Sequence, residues 1–369
     1  MNREASGQTR PEPPAFARGR EGPESDVLPK LAQVRPPAIG IVAGWLSGLV
    51  LLGGLVTFVL HHGDVTVFLS KLKSADPLWL FAAVVSQAAT YACAASVWLR
   101  VLSRAKTPLP FGSLFRLAIL QLFANQALPT GGLSGAAMVA SGLVKRDVPV
   151  SLVTTAILVS GFTYYASYLA VALSAFVILW HSGDLGAAWI PLATAFFMVL
   201  LALAGVTLLL VRRQGRIIPE AARGWAPAKK LAKILGSARA DVLRDWRLIF
   251  EAFLLQVGIF VLDAATLWIA ARSIGLDIDL VSAFSSFVLA SAVATISLIP
   301  LGLGTFEGTC TALLHIMGNS IEGSLAATLI LRGLTLWLPM VPGLWLIRRE
   351  LNGKDLTAAE GTGPAGPAK

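Results

Sequence analysis

Ile299-Pro300-Leu301-Gly302-Leu303-Gly304-Thr305-Phe306-Glu307-Gly308 interrupts an otherwise apolar stretch covering residues 281–318. Proline removes a backbone donor and clashes with the preceding helical turn, while glycine admits backbone conformations closed to other residues. A helix entering this segment therefore has to stop and restart. A second apolar stretch, 112–144, is broken in the same way at Leu128-Pro129-Thr130-Gly131-Gly132. The breaks free N–H and C=O groups that hydrocarbon cannot satisfy, so they must face protein, water or a ligand.

Composition sets the solvent. Of 369 residues, 55% are hydrophobic and only 14% charged, with a mean hydropathy of +0.71. A soluble fold carries nearer a quarter charged residues, so an all-α polytopic membrane protein is expected. Spans are read at about 38–60, 78–103, 150–180, 188–211, 248–272 and 323–347. Residues 1–37 and 349–369 read as disordered tails, and 38–348 as one membrane domain with no room for a large soluble enzyme domain. Cys93 and Cys310 lie in apolar stretches and imply no disulfide framework. His61, His62, His181 and His315 have no metal-ligand spacing. With no nucleophile–base set, phosphate loop or metal cluster, neither an enzyme nor a cofactor is expected.

Charge sets the orientation. With the N-terminal tail in the cytoplasm, the segments 1–37, 104–111, 145–149, 212–247 and 348–369 hold 24 Lys and Arg. The opposite-side segments 61–77, 181–187, 273–280 and 319–322 hold two, Lys71 and Lys73. This bias predicts a multi-pass membrane protein with both termini in the cytoplasm. It also accounts for the net charge of +9 without nucleic acid as a partner. The basic loop 212–247 has ten Lys and Arg against three acids and is expected to lie on anionic headgroups. The hairpin arms, about 112–128, 131–144, 281–299 and 303–318, mostly fall short of a roughly 20-residue crossing, which favours re-entrant hairpins.

The halves resemble each other at an offset of about 170 residues. Gln87 and Trp98 correspond to Gln256 and Trp268, Pro129 and Gly131 to Pro300 and Gly302, Ser151-Leu152 to Ser324-Leu325, and Gly161 and Thr163 to Gly333 and Thr335. Repeat one covers about 78–180 and repeat two about 248–347. Each is helix, re-entrant broken hairpin, helix, and the charge count gives their hairpins opposite sides of entry. Inverted-topology repeats with broken helices are a recurring transporter architecture, with the site where the repeats meet. The break residues are Pro129, Gly131, Gly132, Pro300, Gly302 and Gly304.

Ionisable residues within the spans are few: Arg116, Glu251, Asp263, Arg272, Glu307 and Arg332. Glu251 and Arg272 lie near helix ends, where they can snorkel. Glu307 falls on the first turn after the second break, where a helix N-terminus favours a carboxylate, and Arg332 is its expected partner. That pair is either a structural pin or part of a binding or coupling site. Asp263 is centred in its span, suited to proton coupling or to a hydrogen bond with Gln or Ser. Gln121, Asn125 and Gln126 precede the first break and can line a polar cavity or cap freed backbone.

The run 299–308 followed by Arg332 resembles the signature of the lysylphosphatidylglycerol synthase transmembrane-region family, a flippase-like membrane domain. Asn125-Gln126-Ala127-Leu128-Pro129-Thr130-Gly131-Gly132 resembles the first-half motif of that family, and the likeness covers about residues 40–350. The resemblance implies a bacterial or archaeal plasma-membrane protein that moves lipids or lipid-linked molecules between leaflets. Many first-half motifs carry an acid or Arg after the glycines. Here Ser134-Gly135-Ala136-Ala137 stand there, so a charged headgroup contact from the first hairpin is not implied. Full synthases continue into a soluble aminoacyl-transferase domain; this chain ends in a short tail, and that activity is not implied. The reading is therefore a translocator of lipids or amphiphiles. The alternative is a non-transporting scaffold for an envelope-lipid enzyme, and a homo-oligomer is compatible with either.

Overall fold

The computed structural model describes residues 70–128, 132–182, 189–213, 236–297 and 299–347, with 50, 53, 54 and 57 of the first apolar stretch. Pro129 and Gly131, most of the 38–60 span, residues 214–235 of the basic loop and both tails lie outside the described residues.

The described chain is helical, in two matching series. The first is α1 (Pro77–Arg104), α2 (Phe111–Ala127), α3 (Leu133–Val144) and α4 (Val150–Ser182). After α5 (Trp189–Arg213) and the single turn α6 (Ala240–Leu243) come α7 (Trp246–Ser273), α8 (Leu280–Ile296), α9 (Thr305–Ile316) and α10 (Ile321–Arg332). The first three helices have 28, 17 and 12 residues in both series. Their caps match as well. Asp76 and Asp245 cap α1 and α7, each accepting backbone N–H bonds of its own first turn. Each of these helices ends on a left-handed residue, Lys106 (φ 59°) after α1 and Gly275 (φ 70°) after α7. The same pairing recurs after α3 and α9, with Asp147 (φ 59°) and Gly318 (φ 92°).

α1 and α7 form the most extensive helix pair and run antiparallel. At one end the Asp76 N–H donates to the Ser273 carbonyl at 2.7 Å, and Trp79 meets Trp268 edge-on at 5.8 Å. At the other end Arg104 pairs with Asp245 and Glu251, each at 3.4 Å. The chain therefore leaves toward α2 and toward α8 from opposite ends of this pair. Two large hydrophobic cores result, beside a small cluster of Leu179, Leu289 and Leu313. One joins α1, α2, α3 and the start of α4; the other joins the second half of α4 to α7–α10. Phe81, Val85, Leu173, Val177, Phe250 and Leu254 face outward, as expected where lipid is the solvent.

Among the described residues, four helices are long and apolar enough to cross a membrane: α1, α4 through His181, α7 and the segment Ile321–Ile347. The hairpin arms are not. At 1.5 Å per residue, 17- and 12-residue arms reach about 26 and 18 Å, against a hydrocarbon core of about 30 Å.

Candidate functional site

The second break is built from its backbone outward. Leu301 (φ 58°) and Gly302 (φ 62°) are consecutive left-handed residues, a conformation that is unusual for leucine. The Gly302 N–H donates to the Ile299 carbonyl at 2.9 Å. A Cβ on Gly302 would collide with Ala294 of α8, so only glycine lets the turn lie against the first arm. Ser297 Oγ and Thr305 Oγ1, 3.1 Å apart, bridge the two arms below the turn.

Glu307 closes the turn. Its Oε2 accepts the Gly304 N–H at 2.6 Å, satisfying a donor at the start of α9. Its Oε1 accepts from Arg332 Nε at 2.6 Å. Arg332 Nη2 also donates to the carbonyl of the left-handed Leu301 at 2.8 Å, and the guanidinium lies 4.8 Å from the Phe306 ring centroid. Glu307 is 1% exposed and the Arg332 side chain 11%. One arginine thus holds the break, its carboxylate and its aromatic neighbour against α10.

The first break is tied by amides. Asn125 Oδ1 accepts the Gly135 N–H at 2.8 Å, joining α2 to α3, and a Cβ on Gly135 would lie 2.5 Å from that same oxygen. Ser134 Oγ donates to the Leu128 carbonyl at 2.8 Å. Gly132 starts α3 at φ 92°. Gln121 is partly exposed, about three turns into α2. Asn125 and Gln126 therefore cap freed backbone groups. Gln126 reaches further, since its Nε2 donates to the Thr335 carbonyl at 2.9 Å.

That carbonyl is free for a reason legible in the chain. Thr335 O would ordinarily accept from the N–H of residue 339, and residue 339 is proline. The helix widens just before it, with the Leu338 N–H reaching back to the Gly333 carbonyl at 3.0 Å. Such wide turns often occur at functional sites. A Cβ on Gly343 would lie 2.5 Å from Phe123 Cβ, so α2 approaches this stretch closely. Arg332 and Thr335, three residues apart, receive the second and first hairpins respectively. Gln126 is 5% exposed, and its Oε1 has no hydrogen-bond partner among the described residues. The roles of Pro339 and Gly343 were not anticipated from sequence, although a proline four residues after Thr335 is the readable signal.

Asp263 stands apart from this junction, between α1 and α7. Gln87 Nε2 donates to its Oδ1 at 2.9 Å and lies 3.1 Å from Thr266 Oγ1. Ser86 Oγ donates to the Leu262 carbonyl at 3.1 Å. Of the remaining intramembrane charges, Arg272 pairs with Asp277 at 2.7 Å, and Glu251 meets Arg100 and Arg104 at the helix ends. Among the described residues no group of His, Cys, Asp and Glu could hold a metal ion.

The family model described as "Lysylphosphatidylglycerol synthase TM region" matches residues 45–343, and the chain belongs to that family. The match is to a membrane region rather than to a catalytic domain. Comparison with curated proteins gives no match.

Proposed function

We propose that this multi-pass member of the family translocates a lipid or lipid-linked amphiphile across the plasma membrane, without catalysing a reaction, and that both termini are cytoplasmic. The observation that carries this reading is the convergence of two broken hairpins on one widened stretch of the last helix, at Arg332 and Thr335. Matching helix lengths and caps, with α1 and α7 antiparallel, support an inverted-topology repeat. In that architecture broken helices meet at the substrate site. Each arm is too short to cross alone, which supports re-entrant hairpins.

In this reading polar headgroups pass between the hairpin ends while acyl chains stay in lipid. Gln126 Oε1 offers an acceptor there, and the basic 212–247 loop holds anionic headgroups at the cytoplasmic face. The test is reconstitution into vesicles of native lipid extract containing a trace of fluorescent lipid, with outer-leaflet quenching as readout. Wild-type protein is expected to make the inner-leaflet pool accessible, and Gln126→Leu to alter the rate. Vesicles that hold folded protein and keep the pool inaccessible would refute translocation of the lipids tested.

A further inference from the structure

We propose that Asp263 is a proton-exchange site inside the membrane, and that its protonation state sets how α1 lies against α7. Helical position places Asp263 on the inner face of α7. It shares that face with buried Gln256, Phe260, Thr266 and Leu267 and lies opposite the outward-facing Phe250, Leu254 and Val261. Its side chain is nonetheless partly accessible. Its helical position thus directs the side chain toward the bundle and away from lipid.

The surroundings lack a compensating charge. The groups that act on it are Gln87 and Tyr91 from α1 and Tyr164 from α4; Cys93 lies against Gly258, and Tyr165 and Tyr168 lie beside Tyr164, so the titratable neighbours are neutral thiol and phenol groups. α8 carries no charged residue. On α10, Arg332 is committed to Glu307, and Glu322 sits on the first turn at the far end of the helix. Asp263 has no ion pair among the described residues. An ionised carboxylate without a cation is costly at this depth, and intramembrane carboxylates of this kind mark proton relays.

The hydrogen-bond pattern leaves room for the proton. Gln87 donates to Oδ1, and no described residue donates to Oδ2. The Tyr91 hydroxyl, one turn beyond Gln87 and buried, has no partner among the described residues. Protonating Oδ2 turns an acceptor into a donor and removes a full charge, while releasing that proton restores the charge that Gln87 steadies. Because Gln87 also meets Thr266, and Ser86 binds the Leu262 carbonyl, the change acts on the contact between the helices that begin the two series. That this proton drives a transport cycle rests on the translocation reading; that it binds does not.

The experiment uses full-length protein in vesicles and the infrared C=O stretch of protonated carboxyls, scanned from about pH 6 to pH 9, above the range in which exposed carboxyls titrate. A band that titrates in wild type and in Glu307→Gln, and is lost in Asp263→Asn, is the expected result. No titrating band, or one that survives in Asp263→Asn, overturns the proposal. Should Asp263→Asn misfold, Gln87→Leu is expected to move the midpoint of the band, and an unmoved midpoint overturns it as well. Lipid movement measured in parallel is expected to follow the same titration in wild type, falling about twofold at the midpoint and steepening toward tenfold per pH unit only beyond it, and to be flat in Asp263→Asn. A titrating band with pH-independent lipid movement overturns the coupling. Absence of all lipid movement overturns translocation and leaves the infrared result to decide the proton site.

Discussion

Removing Arg332 is the most informative perturbation of the second hairpin. Glu307 is 1% exposed and makes two polar bonds, to Arg332 Nε and to the Gly304 N–H, both at 2.6 Å. Arg332→Leu leaves its carboxylate buried with a single backbone donor and no cation. Breaking a buried pair from one side costs about 3–5 kcal/mol. The Leu301 carbonyl loses its 2.8 Å donor in the same step, worth about a further 1.5–3 kcal/mol where the donor is charged. Arg332→Leu is thus expected to lose about 4–8 kcal/mol if the two effects add, and less where they overlap. The double variant Glu307→Gln/Arg332→Leu removes both charges. The side-chain amide that Glu307→Gln introduces can still accept from the Gly304 N–H, so most of the loss is expected to return. The assay is reversible unfolding in mixed micelles by denaturant titration, run as a double-mutant cycle. Single losses near about 1 kcal/mol, or losses that simply add in the double variant, would show that Glu307 and Arg332 are not coupled as the geometry requires.

Gln126→Leu leaves the partly buried Thr335 carbonyl without its Gln126 donor, and is expected to cost about 1–3 kcal/mol by the same unfolding assay. Gln126→Glu, which sets a carboxylate against that carbonyl, is expected to cost more than Gln126→Leu. Gly302→Ala combines a left-handed backbone cost of about 1–2 kcal/mol with the collision against Ala294, and is expected to abolish folded yield by size-exclusion chromatography. Gly343→Ala, which forces Phe123 aside, is expected to lower stability by about 1–3 kcal/mol. Lys106→Gly relieves a left-handed non-glycine residue and is expected to raise stability by about 1 kcal/mol, read as a higher midpoint of thermal unfolding.

The membrane class and the two breaks were legible because each rests on a local signal: too few charges for water, and proline beside glycine in an apolar run. The Glu307–Arg332 pair was legible for a related reason, since a charge in hydrocarbon demands a partner and few were available. The polar residues before the first break could not be assigned in the same way. Asn125 and Gln126 are neutral, and neutral amides find partners wherever backbone groups are free. Which carbonyl Gln126 reaches depends on how α2 lies against the last helix, through Phe123 and Gly343. Asp263 was equally open until α1 brought Gln87 to it.

The two helix series show where sequence likeness fails and backbone geometry does not. Lys106 and Asp147 end helices in the left-handed conformation, where the second series has Gly275 and Gly318. Glycine is the readable signal for such an ending, and lysine and aspartate conceal it. The two breaks differ more deeply. The second is clamped by a charged pair that also holds the Leu301 carbonyl, whereas the first is tied by neutral amide bonds from Asn125 and Gln126. Hydrogen bonds to charged groups contribute roughly twice what neutral ones do. If the hairpins move against α10, the arm with the smaller barrier is the first, and the contact that must break is Gln126 to Thr335. The carbonyl at that contact is free because of Pro339, which places the weakest link at the position where the last helix cannot satisfy itself.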